Sequence, residues 1–267
     1  MEENSPTYQL IKGSPNVLSM IYQDCAQPSI KKIGIALETI FEISNTILLP
    51  LKLSSEKAKI NFTKSLDAYR EKIDKIDNSK LIDVPTILGI PIIDRLTYVT
   101  NREIADLYVR LLAKASSIDT INEAHPTFIH IIDRMTVDEA RIINHIENLN
   151  SIPFINIVSR SKDNHAEYVK QAWNLTALEK DLDLICPNNI DLYLDNLVSL
   201  QIIEVQGNSF KVDEDLYINL EKKYSELIVS YEEWNTKNVE YNPKCEIQKR
   251  FYEVTELGKL FIKACRK

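Results

Sequence analysis

Thr100-Asn-Arg-Glu-Ile-Ala-Asp-Leu-Tyr-Val-Arg-Leu-Leu-Ala-Lys-Ala115 is the stretch that decides the fold class. Ile104, Leu107, Tyr108, Leu111, Leu112 and Ala115 recur at i, i+3, i+4 spacing, which places them on one face of a helix. Thr100 with Glu103 reads as a capping box, so Thr100 is the expected N-cap. Working outward, His125-Pro-Thr-Phe-Ile-His-Ile-Ile-Asp133 follows, with Pro126 suited to a first helical turn and His125 to a capping position. A second capping box, Thr136-Val-Asp-Glu139, opens a helix carrying Ala140, Ile142, Ile143 and Ile146.

Upstream, Val84-Pro-Thr-Ile-Leu-Gly-Ile-Pro-Ile-Ile-Asp94 is apolar but broken by Pro85, Gly89 and Pro91. It predicts extended chain or a short turn, then a helix from Ile92 onward. Residues 54–78 form an amphipathic helix with Ala58, Ile60, Phe62, Leu66, Tyr69, Ile73 and Ile76 on its apolar side and lysines mostly between them. The most apolar segment, Ile33 to Pro50, contains Glu38, Glu42 and Asn45 and is shorter than the roughly 20 residues a bilayer span needs. It reads first as a buried core helix and second as a membrane-surface helix flanked by Lys31, Lys32 and Lys52.

Only 5 glycines are present, which disfavours an all-β fold rich in tight hairpins. The formal net charge is -7, and it divides as about -1 over residues 1–135 and about -6 over residues 136–267. An acidic chain repels nucleic-acid phosphate, so nucleic acid is disfavoured as a partner. The cysteines, Cys25, Cys186, Cys245 and Cys265, show no CxxC spacing, and no zinc site is expected. Scattered thiols and an acidic amino terminus without an apolar signal region predict a cytoplasmic location.

The carboxy-terminal half has its own pattern. Residues 188–200 read as a helix with Ile190, Leu194, Leu197 and Val198 inward, running into Ile202-Ile-Glu-Val-Gln206, Gly207-Asn208 and Ser209-Phe-Lys-Val212. Two β-prone runs around Gly-Asn give a hairpin signal. Phe251-Tyr-Glu-Val254 supplies a third strand before a terminal helix over 255–265, and 215–235 is an inserted helical segment. With the helix over 136–148 as the first helix, this is a winged-helix pattern. Its second helix carries Asp191 and Asp195 and no basic residue, the reverse of what base and phosphate contacts need.

Leu111-Leu-Ala113, His125-Pro-Thr-Phe128 and Thr136-Val-Asp-Glu-Ala140, in this order, resemble the abortive-infection alpha family of bacterial phage-defence proteins. Gly34 and Leu48-Leu-Pro50 extend the resemblance toward the amino terminus, so that it covers roughly residues 20–150. It implies a role in phage defence and carries over no catalytic residue. Leu111, Leu112, Ala113, His125, Pro126, Phe128, Thr136 and Glu139 are expected to be structural.

The chain carries no recognisable catalytic motif. No glycine-rich phosphate loop and no GxSxG elbow appear. His125, His130, His145 and His165 lack a second catalytic partner beyond nearby acids, with Asp133 and Glu147 close to His130 and His145. His165 falls in the polar stretch 159–167, read as a loop. Trp173 and Trp234 are expected as core or interface anchors.

The sequence therefore predicts a mainly α protein: a lead-in over 1–17, a helical domain over 18–135 and a winged-helix-like α+β domain over 136–267. The expected function is phage defence through protein contacts, with no catalytic residue, cofactor or metal. A phage component or operon partner, a homo-oligomer and a membrane surface all stay open as partners, with membrane-directed toxicity as a refinement. The alternative is a winged-helix DNA-binding regulator.

Overall fold

A computed structural model of the chain describes residues 28–44, 55–147, 149, 151–206 and 214–266. These contain helices α1 (Pro28–Ser44), α2 (Glu56–Ile73), α3 (Thr86–Leu96), α4 (Arg102–Ala115), α5 (Pro126–Asp133), α6 (Val137–Ile146), α7 (Leu178–Asp181), α8 (Ile190–Ser199), α9 (Glu214–Lys223), α10 (Ser225–Lys237) and α11 (Glu256–Cys265). Strands β1 (Ser151–Arg160), β2 (Tyr168–Leu175), β3 (Ile203–Gln206) and β4 (Glu246–Val254) form one antiparallel sheet in the order β2-β1-β4-β3. The protein is mainly helical with this one small sheet among the described residues. It divides into two compact units, one reaching Val137 and resuming at Leu260, the other Asp138–Lys259.

The first unit is built around α4, which packs against α2, α3 and α5. Its face is the expected one: Leu107, Tyr108, Leu111, Leu112 and Ala115 are buried. The N-cap differs from expectation. Asn101, not Thr100, caps the helix, its Oδ1 accepting from the Glu103 and Ile104 amides at 2.8 and 3.1 Å. An Asn side chain reaches both orphan N–H groups one residue later than the Thr-based reading placed the start.

The α3 boundary also departs from the sequence expectation. The helix starts at Thr86 rather than Ile92 and runs through Pro91. Leu88, Gly89, Ile92, Ile93 and Leu96 make its buried stripe, and this burial outweighs the hydrogen bond that Pro91 cannot donate. Gly89 is there for space. A Cβ at that position would lie 2.5 Å from Ile40 Cδ1 and 3.1 Å from Val84 Cγ1, so the missing side chain lets α3 approach α1.

In α1, Ile33, Ala36, Leu37, Ile40 and Phe41 are buried, and the helix is kinked at Leu37. The core-helix reading therefore describes residues 33–41; Leu48-Leu-Pro50 and Lys52 lie outside the described residues, as do the 1–17 lead-in and Cys25. Lys32 is placed by a helix end: its Nζ donates to the carbonyls of Ile73, Asp74 and Ile76 at 3.4, 3.2 and 2.7 Å, capping α2. On α2, Phe62, Leu66, Tyr69 and Ile73 are buried, but Ile60 points outward and Ile76 lies beyond the helix. No described helix is long and apolar enough to cross a membrane.

In the second unit the helices, β3 and the end of β4 arrive near their expected positions, and two strands of the sheet do not. β1 and β2 were not foreseen, and the expected loop over 159–167 is the connection between them together with the end of β1. β4 extends the expected third strand back to Glu246, and β3 pairs with it. Gly207-Asn208 and Ser209–Val212 lie outside the described residues. Behind the sheet, Tyr217 and Leu220 of α9 and Tyr224 pack with Ile155 and Ala177 in a buried cluster. Gly258 at the start of α11 is required by close approach, because a Cβ there would collide with the backbone carbonyl of Ile202.

Candidate functional site

The residues of the family resemblance lie within α4, α5 and α6 or at their starts. Leu111 and Leu112 are fully buried, and Ala113 is half-buried on the same helix. His125 is the N-cap of α5, its Nδ1 accepting from the Thr127 amide at 3.2 Å, with Pro126 in the first turn. Phe128 is buried edge-on to Phe261, centroids 5.7 Å apart. Thr136 immediately precedes α6.

The residue that sequence reasoning passed over is Asp138. It is 2% exposed and collects three donors: the amides of Ile185 and Cys186 at 2.8 and 2.9 Å and the Tyr193 hydroxyl at 2.9 Å. Burial alone would raise its pKa, but the two backbone N–H groups and Tyr193 outweigh this and hold the carboxyl below the usual carboxylate range. Glu139, 1% exposed, accepts from Asn196 Nδ2 at 2.5 Å. The Asp-Glu pair of the second capping box thus fastens α6 to the turn before α8 and to α8 itself. Its signal was present in Thr136-Val-Asp-Glu139, but the capping reading assigned no partner to Asp138.

The histidines are not brought together with partners for catalysis among the described residues. His125, His130, His145 and His165 are exposed. Asp133, expected beside His130, is engaged by Arg95, whose Nε and Nη2 donate at 3.0 and 2.8 Å, and by the Tyr108 hydroxyl at 2.6 Å. No group of three or more His, Cys, Asp or Glu arranged to hold a metal occurs among the described residues.

A concave site does exist on the face of the sheet opposite the α9 cluster. Phe154 and Asn156 of β1, Arg250 and Tyr252 of β4 and Val205 of β3 share that face, as the period of two requires. Asp195 and Val198 of α8 form one wall, and Trp173 with Asn174 of β2 forms another, enclosing about 370 Å³. Phe154 and Tyr252 stack with centroids 4.7 Å apart.

The β2 wall is made by a bulge. The register slips between the pairs Ile155↔Leu175 and Ile157↔Ala172, leaving an extra residue on β2 opposite Asn156. Asn174 sits there at φ 53°, in the left-handed region that Asn tolerates better than most residues. Its amide donates to Asn156 Oδ1 at 3.0 Å, so the buried Asn156 side chain holds the bulge in place. Trp173 is left 36% exposed at the rim, so it is not a core anchor, and Lys170 Nζ lies 4.3 Å from its ring centroid.

Carboxylates act on the α8 side of the recess. Burial raises the Asp191 pKa, and repulsion from Asp195 and Glu179 adds to this against a hydrogen bond from Asn174. The Tyr252 hydroxyl is likewise pushed up, first by burial and then by Asp195 and Asp191. The arrangement presents aromatic surface, a carboxylate rim and a fixed backbone. Among the residues lining the recess, no nucleophile stands beside a base.

Comparison with known proteins places the chain in context. The sequence model of the family described as "Abortive infection alpha" matches residues 58–265. No curated protein matches. Among solved structures, the chain is similar to an uncharacterized protein of the hydrocarbon-degrading marine bacterium Alcanivorax borkumensis SK2, with 15% identity over 57% of this chain and 99% of that one, at a TM-score of 0.33.

Proposed function

The chain belongs to the abortive infection alpha family, and from that premise we propose that it defends bacteria against phage by contacting another macromolecule and not by turnover. The observation that carries the contact reading is the recess held open by the Asn156-pinned bulge, whose lining is aromatic and acidic. In this reading the partner is a protein, from the phage or from the host cell, and the second unit acts as a winged-helix-like recognition module with α6 and α8 as its helices. The acidic face of α8, with Asp191 and Asp195 and no basic residue, weighs against the DNA-binding regulator. Membrane-directed toxicity would require α1 to give up its buried contacts.

The test is a phage challenge of cells expressing the full chain at low and high multiplicity of infection. Protection at low multiplicity with collapse of the culture at high multiplicity is the expected result. Equal lysis of expressing and control cells by a broad phage panel would overturn the reading.

A further inference from the structure

We infer that the recess between α8 and the sheet is a guanidinium site that takes an arginine-like cation, an inference that rests on the contact reading above. The wall residue Asp195 is exposed and has no ion-pair or hydrogen-bond partner among the described residues. A carboxylate left unpaired beside aromatic surface is an acceptor waiting for a donor with a cationic head.

A second observation points the same way. Tyr252 is 2% exposed as a residue and lines the recess, and its hydroxyl oxygen, which is not sealed from solvent, has no hydrogen-bond partner among the described residues. A Tyr hydroxyl at the floor of a recess is open to a ligand donor. The charges acting on this hydroxyl are Asp195 and Asp191, both negative, so a ligand N–H placed between hydroxyl and carboxylate meets two acceptors.

The flanks select among cations. Trp173 shows an indole whose ring already attracts Lys170 Nζ, so its face favours positive charge. Phe154, Val198 and Val205 add apolar surface beside the polar Asn156 and Asn174. An ammonium is strongly hydrated and loses more on entering such a site. A guanidinium is weakly hydrated, stacks on aromatic faces and offers N–H groups in two in-plane directions. Arg250, the recess's own cation, is already engaged. The cation has two sources, a free small guanidine or an arginine side chain of a partner protein, and the chemistry at the recess is the same for both.

The test is calorimetric titration of the full chain with ethylguanidinium, with acetyl-arginine-amide, with an arginine-containing peptide and with neutral acetyl-citrulline-amide. Ethylguanidinium is expected to saturate in roughly the millimolar range, as one charge pair and one ring contact allow, with the citrulline compound silent. Asp195→Asn is expected to weaken binding about 10-fold and Tyr252→Phe about 3-fold, with unchanged tryptophan emission showing that the fold is retained. A peptide binding tighter than ethylguanidinium assigns the cation to a partner protein, and equal affinity assigns it to a free small molecule. Absence of saturable binding, or equal binding by Asp195→Asn, would overturn the site. If Asp195→Asn loses ethylguanidinium while cells keep full protection, the site stands and defence through it falls. If no probe binds while protection persists, the site falls and the defence reading stands.

Discussion

Replacing Asp138 by Asn tests the framework on which the site hangs. The carboxylate accepts from two backbone amides and one tyrosine hydroxyl, and an amide side chain of the same shape keeps at most one good acceptor in their place. Charge-assisted hydrogen bonds contribute about 1.5–3 kcal/mol each, which would be an upper bound for all three. Ile185 and Cys186 are exposed, so water can take over their amides and the loss there is about 0.5–1 kcal/mol each. Tyr193 is 5% exposed and its hydroxyl is stranded at a cost of about 1–2 kcal/mol. The expected destabilisation is therefore about 2–4 kcal/mol at pH 7. The two tryptophans, Trp173 and Trp234, both lie within Asp138–Lys259, so urea unfolding followed by tryptophan fluorescence reports the relevant unit alone. The folded-state pKa of Asp138 is depressed. Its stabilisation is thus fully present above the unfolded value of about 3.9 and disappears as pH falls through the folded value, so the two proteins should converge in acid. A loss below about 0.5 kcal/mol at pH 7, or a difference that persists unchanged in acid, would refute the reasoning.

Gly89→Ala forces its new methyl against Ile40 and should cost about 1–3 kcal/mol by circular dichroism, with Ile40→Val in the same chain recovering part of it; no recovery would contradict a packing cause. Gln201 closes α8 at φ 57°, with its amide on the Val198 carbonyl and the Ile202 amide on that of Leu197, a helix end where glycine is the unstrained residue. Gln201→Gly should therefore raise the fluorescence-monitored stability by about 0.5–1 kcal/mol, and a lowered midpoint would count against the strain argument.

The sequence was most legible where one helical face is buried and the other wet. Leu107 to Ala115 and Ala140 to Ile146 carried their period into the structure because nothing competes with it. The α3 start was misread because Pro91 is a strong local stop, whereas burial of Leu88, Ile92 and Ile93 holds the helix together across it. β1 was hidden for two reasons. Both of its faces are buried, so Ile152, Phe154, Ile155, Ile157 and Val158 show no alternation, and Pro153 interrupts the run. Pro153 precedes Ile155, where pairing with β2 begins, which is where a strand tolerates a missing donor. β2 was hidden because its register slips shift the period of two that a strand search relies on. The recess is composed across these unforeseen strands and α8, so none of it was visible from spacing in the chain. Asp191 and Asp195 were noticed as evidence against DNA, Val198 as an inward residue and Trp173 as an anchor, and bringing such residues together at one recess needed the fold.

The central claim is that defence runs through contact at this recess, and one measurement tests it directly: the efficiency of plating on cells expressing the wild-type chain against cells expressing Asp195→Asn at equal protein level, with the variant's tryptophan emission matching wild type. The account expects wild-type cells to suppress plaques and the variant to lose most of that suppression while remaining folded. Full suppression by the folded variant would contradict it.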